Sequence, residues 1–191
     1  MVTLSKYPIL EKGEIPFPDY GGDMLLRSRL FLRLMRPFGF SKAKNRGGLF
    51  IDIRPNNRDD IIRVFNLHLI LANPSLRSSE FALALLKKDS NQPTIICGDF
   101  NTLEAPHINS LSWIFGGRIT DIINFRRERK DVEKTFRTHA LLNPLVGKMT
   151  HELSRSQLDH ILVSDSFSVQ QASVLLDRMG SDHHPIYIEV T

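Results

Sequence analysis

Short apolar stretches separated by polar, turn-forming residues run along most of the chain, and their pattern predicts the secondary structure. The apolar stretches 48–53 and 61–69 are typical of two paired β-strands joined by the polar turn 54–58. The Asn-Pro-Ser sequence at 73–75 begins a predicted helix that runs to about residue 88. The wholly apolar residues 94–97 then predict a short buried strand.

Strands outnumber helices in the second half of the chain. A short helix is predicted from Pro106 to the glycine pair 116–117, and the densely charged residues 126–134 are predicted to be exposed. Three further strands are predicted at 158–163, 168–175 and 185–190. Strands that alternate with helices early and cluster late indicate an α/β fold with a mixed sheet. With 191 residues and no linker or repeat, the chain is expected to form one domain.

The region before the first paired strands follows a different pattern. Residues 10–23 are rich in Pro, Gly and acidic residues, and are predicted to form an irregular loop. Residues 24–36 are predicted to form a helix that Pro37 ends, with arginines on one face and leucines on the other. The arginines are Arg29, Arg33 and Arg36, and the leucines are Leu26, Leu30 and Leu34.

Positive charge is concentrated in this same region. The net charge is +4, but residues 24–46 contain seven Lys and Arg and no acid, so the remainder of the chain is net negative. Such a segment favours a phosphate-bearing partner, either nucleic acid or an anionic membrane surface. A solvated loop is the alternative interpretation.

Composition excludes several classes of protein. Hydrophobic residues make up 41% and charged residues 24%, as in soluble globular proteins. The single cysteine, Cys97, excludes an intramolecular disulfide framework and is predicted to be an inert core thiol. No apolar run approaches the ~18 residues of a membrane-spanning helix, and the first residues lack a signal-peptide pattern. We therefore expect a cytoplasmic protein.

Candidate chemistry is confined to four polar clusters at the ends of apolar strands, where layered α/β folds place their sites. The clusters are Asn66-Leu67-His68, Gly98-Asp99-Phe100-Asn101, Leu158-Asp159-His160 and Gly180-Ser181-Asp182-His183-His184-Pro185. Each alone has a structural explanation, because Asp, Asn and Ser are common turn formers. The chain has no CxxC, HExxH or His-x-Glu spacing, so no zinc site is predicted.

Taken in order, the clusters resemble the endonuclease/exonuclease/phosphatase superfamily, which has the deoxyribonuclease I-like fold. Six segments carry the resemblance: Leu4-Ser5-Lys6-Tyr7-Pro8-Ile9, Asn66-Leu67-His68-Leu69, Gly98-Asp99-Phe100-Asn101, Thr135-Phe136, Leu158-Asp159-His160-Ile161-Leu162 and Ser181-Asp182-His183-His184-Pro185. The last two are the most specific. The resemblance covers nearly the whole chain except residues 24–45, interpreted as a basic insertion, and implies a four-layer α/β/β/α sandwich.

The resemblance also implies roles for the matching residues. His183 matches the general base that takes a proton from the attacking water, and Asp159 matches the carboxylate that orients it. Asp99 and Asn101 match the pair that positions the nucleophile and holds the phosphoryl group. His68 matches a histidine that donates a hydrogen bond to a phosphate oxygen. An imidazole oriented by a carboxylate is a chemically sound base near neutral pH.

The implied cofactor is Mg²⁺ or Mn²⁺, held by the hard carboxylate oxygens of Asp182 and Asp99. Arg29, Arg33 and Arg36 are additional candidates for binding the substrate, because they would present positive charge to its phosphates.

The chain departs from the family pattern at its start. Full-length members carry two strands before the segment that Leu4 begins, and the second strand ends in a metal-binding Glu. We therefore expect an N-terminally truncated domain with a depleted metal site and an unpaired sheet edge. Glu11 and Glu14 follow that segment and are weak candidates to replace the missing ligand.

These observations predict a metal-dependent phosphoester hydrolase, most simply a phosphodiesterase or nuclease, with nucleic acid as the favoured partner. One alternative is a phospholipid or phosphoinositide hydrolase that contacts membranes through residues 24–36. The other is an inactive remnant, or a module completed by a partner chain.

Overall fold

The computed structural model describes residues 1–18, 25–35, 37, 47–56, 58–71, 74–105, 113–114, 119–120 and 127–191. The strands are β1 (Ile9–Ile15), β2 (Gly47–Ile53), β3 (Ile62–His68), β4 (Thr94–Asp99), β5 (Leu141–Leu142), β6 (Asp159–Ser164), β7 (Val169–Val174) and β8 (Ile186–Val190). The helices are α1 (Leu26–Met35), α2 (Pro74–Leu85) and α3 (Arg127–Thr138).

Six strands form one mixed sheet in the order β1-β2-β3-β4-β6-β5. Only β3 and β4 are parallel; they are joined by α2, and every other neighbouring pair is antiparallel. The parallel pair places the carboxyl ends of β3 and β4 side by side, and antiparallel β6 begins at that same edge. This edge of the sheet carries the candidate site.

The two faces of this sheet bury different groups of side chains because residues alternate along each strand. Phe65 and Leu67 of β3 face a core that includes Phe81 of α2 and Phe136 of α3. The opposite face, with Ile62 of β3, packs with residues of the two-stranded β7–β8 sheet. The described residues thus form a helical layer, a large sheet and a small sheet, which are three layers of the predicted sandwich.

The mixed α/β class is confirmed, and so are the strands predicted around 48–53, 61–69, 94–97, 158–163, 168–175 and 185–190 and the helix begun at 73–75. The short helix predicted from Pro106 to 117 lies mostly outside the described residues. No helix formed by the described part of the chain is long and apolar enough to cross a bilayer.

The irregular loop predicted over 10–23 is wrong for its first part, because Ile9–Ile15 forms the edge strand β1. Most of its side chains are exposed, and its sequence shows no apolar alternation. Backbone pairing with β2 holds the strand in the sheet. Glu11 is an unsuitable replacement metal ligand, since it pairs with Arg63 at 3.5 Å, at the opposite end of β3 from His68.

The charged segment 126–134 was predicted to be exposed, and this is wrong at Arg129. Residues 127–138 form α3, in which Arg129 is only 9% exposed and bonds to Glu104 and His160. Arg77 and Glu80 of α2, an i,i+3 pair typical of a helix surface, are likewise buried. Arg77 pairs with Glu128 of α3 at 2.6 Å, while Glu80 accepts the backbone N–H of Ile70 at 2.7 Å.

Helix α1 forms as predicted, but its arginines and leucines adjoin on one exposed side rather than lying on opposite faces. Ser28 is buried, and its hydroxyl donates to the Ile114 carbonyl oxygen at 2.8 Å. The predicted apolar face is instead exposed: Leu26 is 81%, Leu30 68% and Leu34 72% accessible. At about 100° per residue, exposed Arg29 and Arg33 adjoin these leucines on the solvent side. Arg36 lies outside the described residues.

Candidate active site

Three strand ends place His68, Asp99 and Asp159 in one row. In the β3–β4 ladder His68 pairs with Asp99, and in the β4–β6 ladder Asp99 pairs with Asp159. Directly opposite residues in neighbouring strands have side chains about 5 Å apart. Two carboxylates and an imidazole therefore share one edge of the sheet although 91 sequence positions separate the first residue from the last.

Gly98 permits the close approach of β3 and β4 at this edge. Its φ is +134°, a conformation that L side chains rarely adopt. A Cβ built at Gly98 would lie 1.9 Å from the Leu67 carbonyl oxygen. The residue before Asp99 must therefore be glycine for the two strands to pair as they do.

His183 is joined to Asp159 by a short hydrogen bond. Its Nδ1–H donates to Asp159 Oδ2 at 2.7 Å, and both side chains are partly buried. The hydrogen bond to Asp159 is the main cause that raises the pKa of His183 to about 9, against a smaller opposing effect of burial. Since Nδ1 is engaged, Nε2 is the ring nitrogen that remains for proton transfer.

Asp99 is a partly buried carboxyl group that faces a second one, Asp159. Burial is the main cause that raises its pKa to about 6, and the charge of Asp159 raises it further. The backbone N–H of Asn101 donates to its Oδ1 at 2.8 Å, which orients the carboxylate. A carboxyl group with a raised pKa beside a carboxylate can exchange a proton with a bound group near neutral pH.

The flanking residues Asn101 and His68 differ in accessibility. Asn101 is only 6% exposed, with φ +52°, and its Nδ2 donates to the Leu69 carbonyl oxygen at 2.9 Å. His68 is about half exposed, and its Nε2 lies 3.9 Å from Asp99 Oδ2. His68 thus lies where a substrate oxygen could reach it, whereas the Asn101 amide braces the turn after β4.

Asp182 lies next to His151, a residue that the sequence analysis did not single out. Its Oδ2 is 3.9 Å from His151 Nε2, and its side chain is 83% exposed. The His151 ring centroid is 4.8 Å from that of His183, and the two residues form an antiparallel bridge. Sequence reasoning missed His151 because it stands in a turn outside any motif, and only the fold brings it to His183.

His160, next to Asp159, has a structural role. It is fully buried, and its Nε2 accepts a hydrogen bond from Arg129 at 2.6 Å while its Nδ1–H donates to the Leu158 carbonyl oxygen at 3.1 Å. Burial, followed by the charge of Arg129, lowers the pKa of His160, so the ring is neutral. Its ring packs against Phe100 and Phe136 beneath the site.

The remaining predicted groups are the arginines of α1 and the cysteine of β4. Arg29 and Arg33 belong to α1, whose described contacts are with Trp113 and Ile114. Burial raises the pKa of the Cys97 thiol to about 11, in keeping with an inert core cysteine. The Cys97 thiol donates to the Phe65 carbonyl oxygen at 3.1 Å.

The carboxylates of the site suit a hard divalent cation. Asp99 and Asp159 are close enough for the charge of one to raise the pKa of the other, an excess of negative charge that a cation would relieve. Carboxylate oxygens are the ligands that Mg²⁺ prefers. Asp99 therefore fits such an ion, and Asp182, the other predicted ligand, offers an exposed carboxylate beside His151 and His183.

The fold and this edge of the sheet define a deoxyribonuclease I-like protein. The model of the endonuclease/exonuclease/phosphatase family matches residues 1–183, and the chain belongs to that family. None of the curated proteins matches the sequence.

Solved structures agree with this assignment. The chain is similar to an endonuclease/exonuclease/phosphatase from Beutenbergia cavernae, with a TM-score of 0.62 and 15% identity over 97% of this chain and 46% of that chain. The chain is also similar to a mannosyl-6-phosphatase from Bacteroides thetaiotaomicron, with a TM-score of 0.54 and 20% identity over 97% of this chain and 67% of that chain. With the human Nocturnin catalytic domain with bound sulfate, the TM-score is 0.54 and the identity is 14%, over 96% of this chain and 60% of that chain. Such identities show the fold, and the chain spans about half to two thirds of these proteins' lengths.

Proposed function

We propose that the chain is a metal-dependent phosphoester hydrolase, a phosphodiesterase or nuclease, that uses a water molecule activated by His183. The observation that carries the proposal is the 2.7 Å hydrogen bond from His183 Nδ1 to Asp159, which leaves Nε2 for the proton of the water. Asp159 orients the ring and stabilises its charged form, as the carboxylate of a catalytic triad does.

The neighbouring groups have complementary roles in this proposal. Asp99, with a pKa raised to about 6, orients the water or protonates the leaving oxygen. His68 donates a hydrogen bond to a phosphate oxygen, and Asn101 fixes the turn that presents Asp99. Mg²⁺ or Mn²⁺, held by Asp99 with Asp182, would neutralise negative charge on the phosphoryl oxygens.

The experiment compares His183→Ala with the wild type and with His139→Ala, whose histidine is exposed at the end of α3. Mg²⁺-dependent hydrolysis of bis(p-nitrophenyl) phosphate and of plasmid DNA is measured, and circular dichroism checks the fold. We expect His183→Ala to lose about 10²-fold or more in rate and His139→Ala to be unchanged. A loss of under about tenfold in folded His183→Ala contradicts the assignment.

A wild-type chain that is folded but inactive on every phosphoester would instead favour the module completed by a partner. The interface between the large sheet and the β7–β8 sheet supports such a module, because Ile53 of β2, Val64 of β3 and Ile188 of β8 are only partly buried there.

A second substrate class, phospholipid head groups, is favoured by one observation on α1. The exposed Leu26, Leu30 and Leu34 adjoin Arg29 and Arg33. Leucines beside arginines fit an anionic bilayer, where the apolar side chains enter the interface and the cations meet head groups. A second copy of the same helix is disfavoured, because it would bring arginines against arginines.

Sedimentation with vesicles distinguishes this candidate from nucleic acid. Lipid contact predicts binding to phosphatidylserine-containing vesicles, little binding to phosphatidylcholine alone, and loss in both Arg29→Gln/Arg33→Gln and Leu30→Gln. Leu86→Gln, which alters a leucine that is 79% exposed elsewhere, serves as the matched control. Steeply salt-dependent oligonucleotide binding that Leu30→Gln leaves intact would favour nucleic acid.

A further inference from the structure

Three side chains that can bind a metal converge beside the catalytic pair. His151, Asp182 and His183 each offer one ligand atom, and these atoms lie within 4.8 Å of one another. Within the described ranges, this is the one group of three or more His, Cys, Asp or Glu side chains with that spacing. Two nitrogen donors and one oxygen donor differ from the all-oxygen set that Mg²⁺ prefers.

The backbone fixes both histidines. The antiparallel bridge between His151 and His183 places them side by side, and the next backbone N–H, that of His184, donates to the Thr150 carbonyl oxygen at 2.7 Å. Asp182 is 83% exposed, so its side chain can rotate towards an ion at little cost. The two histidines are thus held in place, while Asp182 is the ligand that can adjust to an ion beside them.

Each histidine also has a partner on its other ring nitrogen. Nδ1–H of His183 donates to Asp159, and the Ser154 hydroxyl oxygen lies 2.9 Å from His151 Nδ1. The Ser154 backbone N–H donates to His151 Nδ1 at 3.2 Å, so without a metal the ring proton of His151 lies on Nε2. Metal binding at Nε2 would move that proton to Nδ1, where the Ser154 hydroxyl oxygen can accept it. A hydrogen bond on the other ring nitrogen, such as that from His183 to Asp159, orients a metal-ligating histidine.

We propose that His151, Asp182 and His183 bind a Zn²⁺ ion that inhibits the enzyme. Zinc favours two imidazoles and a carboxylate with a water in the fourth position. The bound ion occupies His183 Nε2, so the ring cannot accept a proton from water. The inhibitory consequence rests on the proposed function, whereas the binding site does not.

Binding is tested with Co²⁺, which reports tetrahedral coordination by its visible absorption, in the wild type, His151→Gln and His139→Gln. We expect one tetrahedral Co²⁺ in the wild type and His139→Gln, displaced by Zn²⁺. Binding by His151→Gln should be about tenfold or more weaker. Equal binding by all three proteins, or no tetrahedral spectrum in the wild type, overturns the site.

Inhibition is tested by titrating Zn²⁺ into the Mg²⁺-supported hydrolysis assay. His151→Gln should keep the wild-type rate without zinc and require about tenfold or more Zn²⁺ for half-inhibition. Equal sensitivity of the two proteins to zinc would overturn the inhibitory role. A wild type without turnover contradicts the proposed function, and the Co²⁺ titration then still decides the metal site.

Discussion

Asp99 and Asp159 face each other directly across the ladder between β4 and β6. Both are acidic, and burial together with the charge of Asp159 raises the pKa of Asp99 to about 6. A fold selected for stability alone would not place two carboxyl groups opposite each other. Their juxtaposition is therefore a cost in stability that the proposed chemistry explains.

The variant Asp99→Asn is expected to be more stable than the wild type and inactive. The folded-state pKa of Asp99 exceeds its unfolded value of 3.8, so the wild type loses stability as the pH rises from about 4 to about 6. Asparagine removes that loss while its Oδ1 still accepts the Asn101 N–H. Urea unfolding at pH 7 without divalent ions should show a gain of about 1–3 kcal/mol.

Two checks accompany this prediction. The gain should vanish at pH 4, where the wild-type carboxyl group is largely protonated in the folded protein. Asp59→Asn, at an exposed aspartate, should leave stability unchanged. An Asp99→Asn protein that is less stable than the wild type at pH 7 contradicts the account of this pair.

The variant Asp159→Asn is expected to lower kcat/KM by about 10²–10⁴-fold and to shift its pH dependence. The hydrogen bond to the Asp159 carboxylate is the main cause that raises the pKa of His183 to about 9. With that pKa the base is mostly protonated at pH 7, so kcat/KM should rise with pH towards 9. Asparagine removes this cause, so the rising limb should move down towards the ordinary value of 6.5.

The measurement is the pH profile of kcat/KM for the wild type, Asp159→Asn and Asp165→Asn, the last being an exposed aspartate just after β6. Asp165→Asn should reproduce the wild-type profile. If folded Asp159→Asn keeps the rising limb of the kcat/KM profile at the wild-type pH, that limb reports the titration of a group other than His183.

Parts of this architecture could be predicted from sequence because they depend on local patterns. The strands β2, β3 and β4 are apolar stretches bounded by turns, and the order of the polar clusters identified the family. Edge strand β1 was missed because Glu11, Lys12 and Glu14 remove the apolar alternation, and only pairing with β2 makes it a strand.

Other features could not be predicted because they depend on contacts between distant segments. Arg129 is buried because Glu104, 25 positions earlier, neutralises it. His151 could not be predicted as a neighbour of His183 either, because it lies 32 positions earlier in the chain and only the fold brings the two together. Helix α1 was predicted correctly from its pattern, but at about 100° per residue Arg29 and Arg33 adjoin the leucines instead of lying opposite them.

The variant Glu104→Gln is expected to lower the free energy of unfolding by about 3 kcal/mol. Glu104 Oε1 accepts from Arg129 Nε at 2.9 Å and from the Gln157 backbone N–H at 3.2 Å, just before Asp159. Glutamine leaves the Arg129 guanidinium buried with less compensating charge. Urea unfolding measures the loss, and Asp131→Asn, in an exposed pair with Arg127, should cost under about 0.5 kcal/mol. Equal effects of the two variants would contradict the importance of burial here.

The variant Gly98→Ala is expected to destabilise the protein by about 4 kcal/mol or more, enough to prevent folding of a marginal domain. The added Cβ would lie 1.9 Å from the Leu67 carbonyl oxygen, a backbone atom that cannot move without breaking the β3–β4 ladder. Gly147→Ala is the matched control, since Gly147 also has a positive φ, +74°, but nothing lies within 4 Å of its added Cβ. Its cost should be about 1 kcal/mol, from backbone strain alone. Soluble yield, circular dichroism and urea midpoints distinguish the two, and a Gly98→Ala midpoint equal to that of Gly147→Ala would show that the strands can separate to admit a side chain.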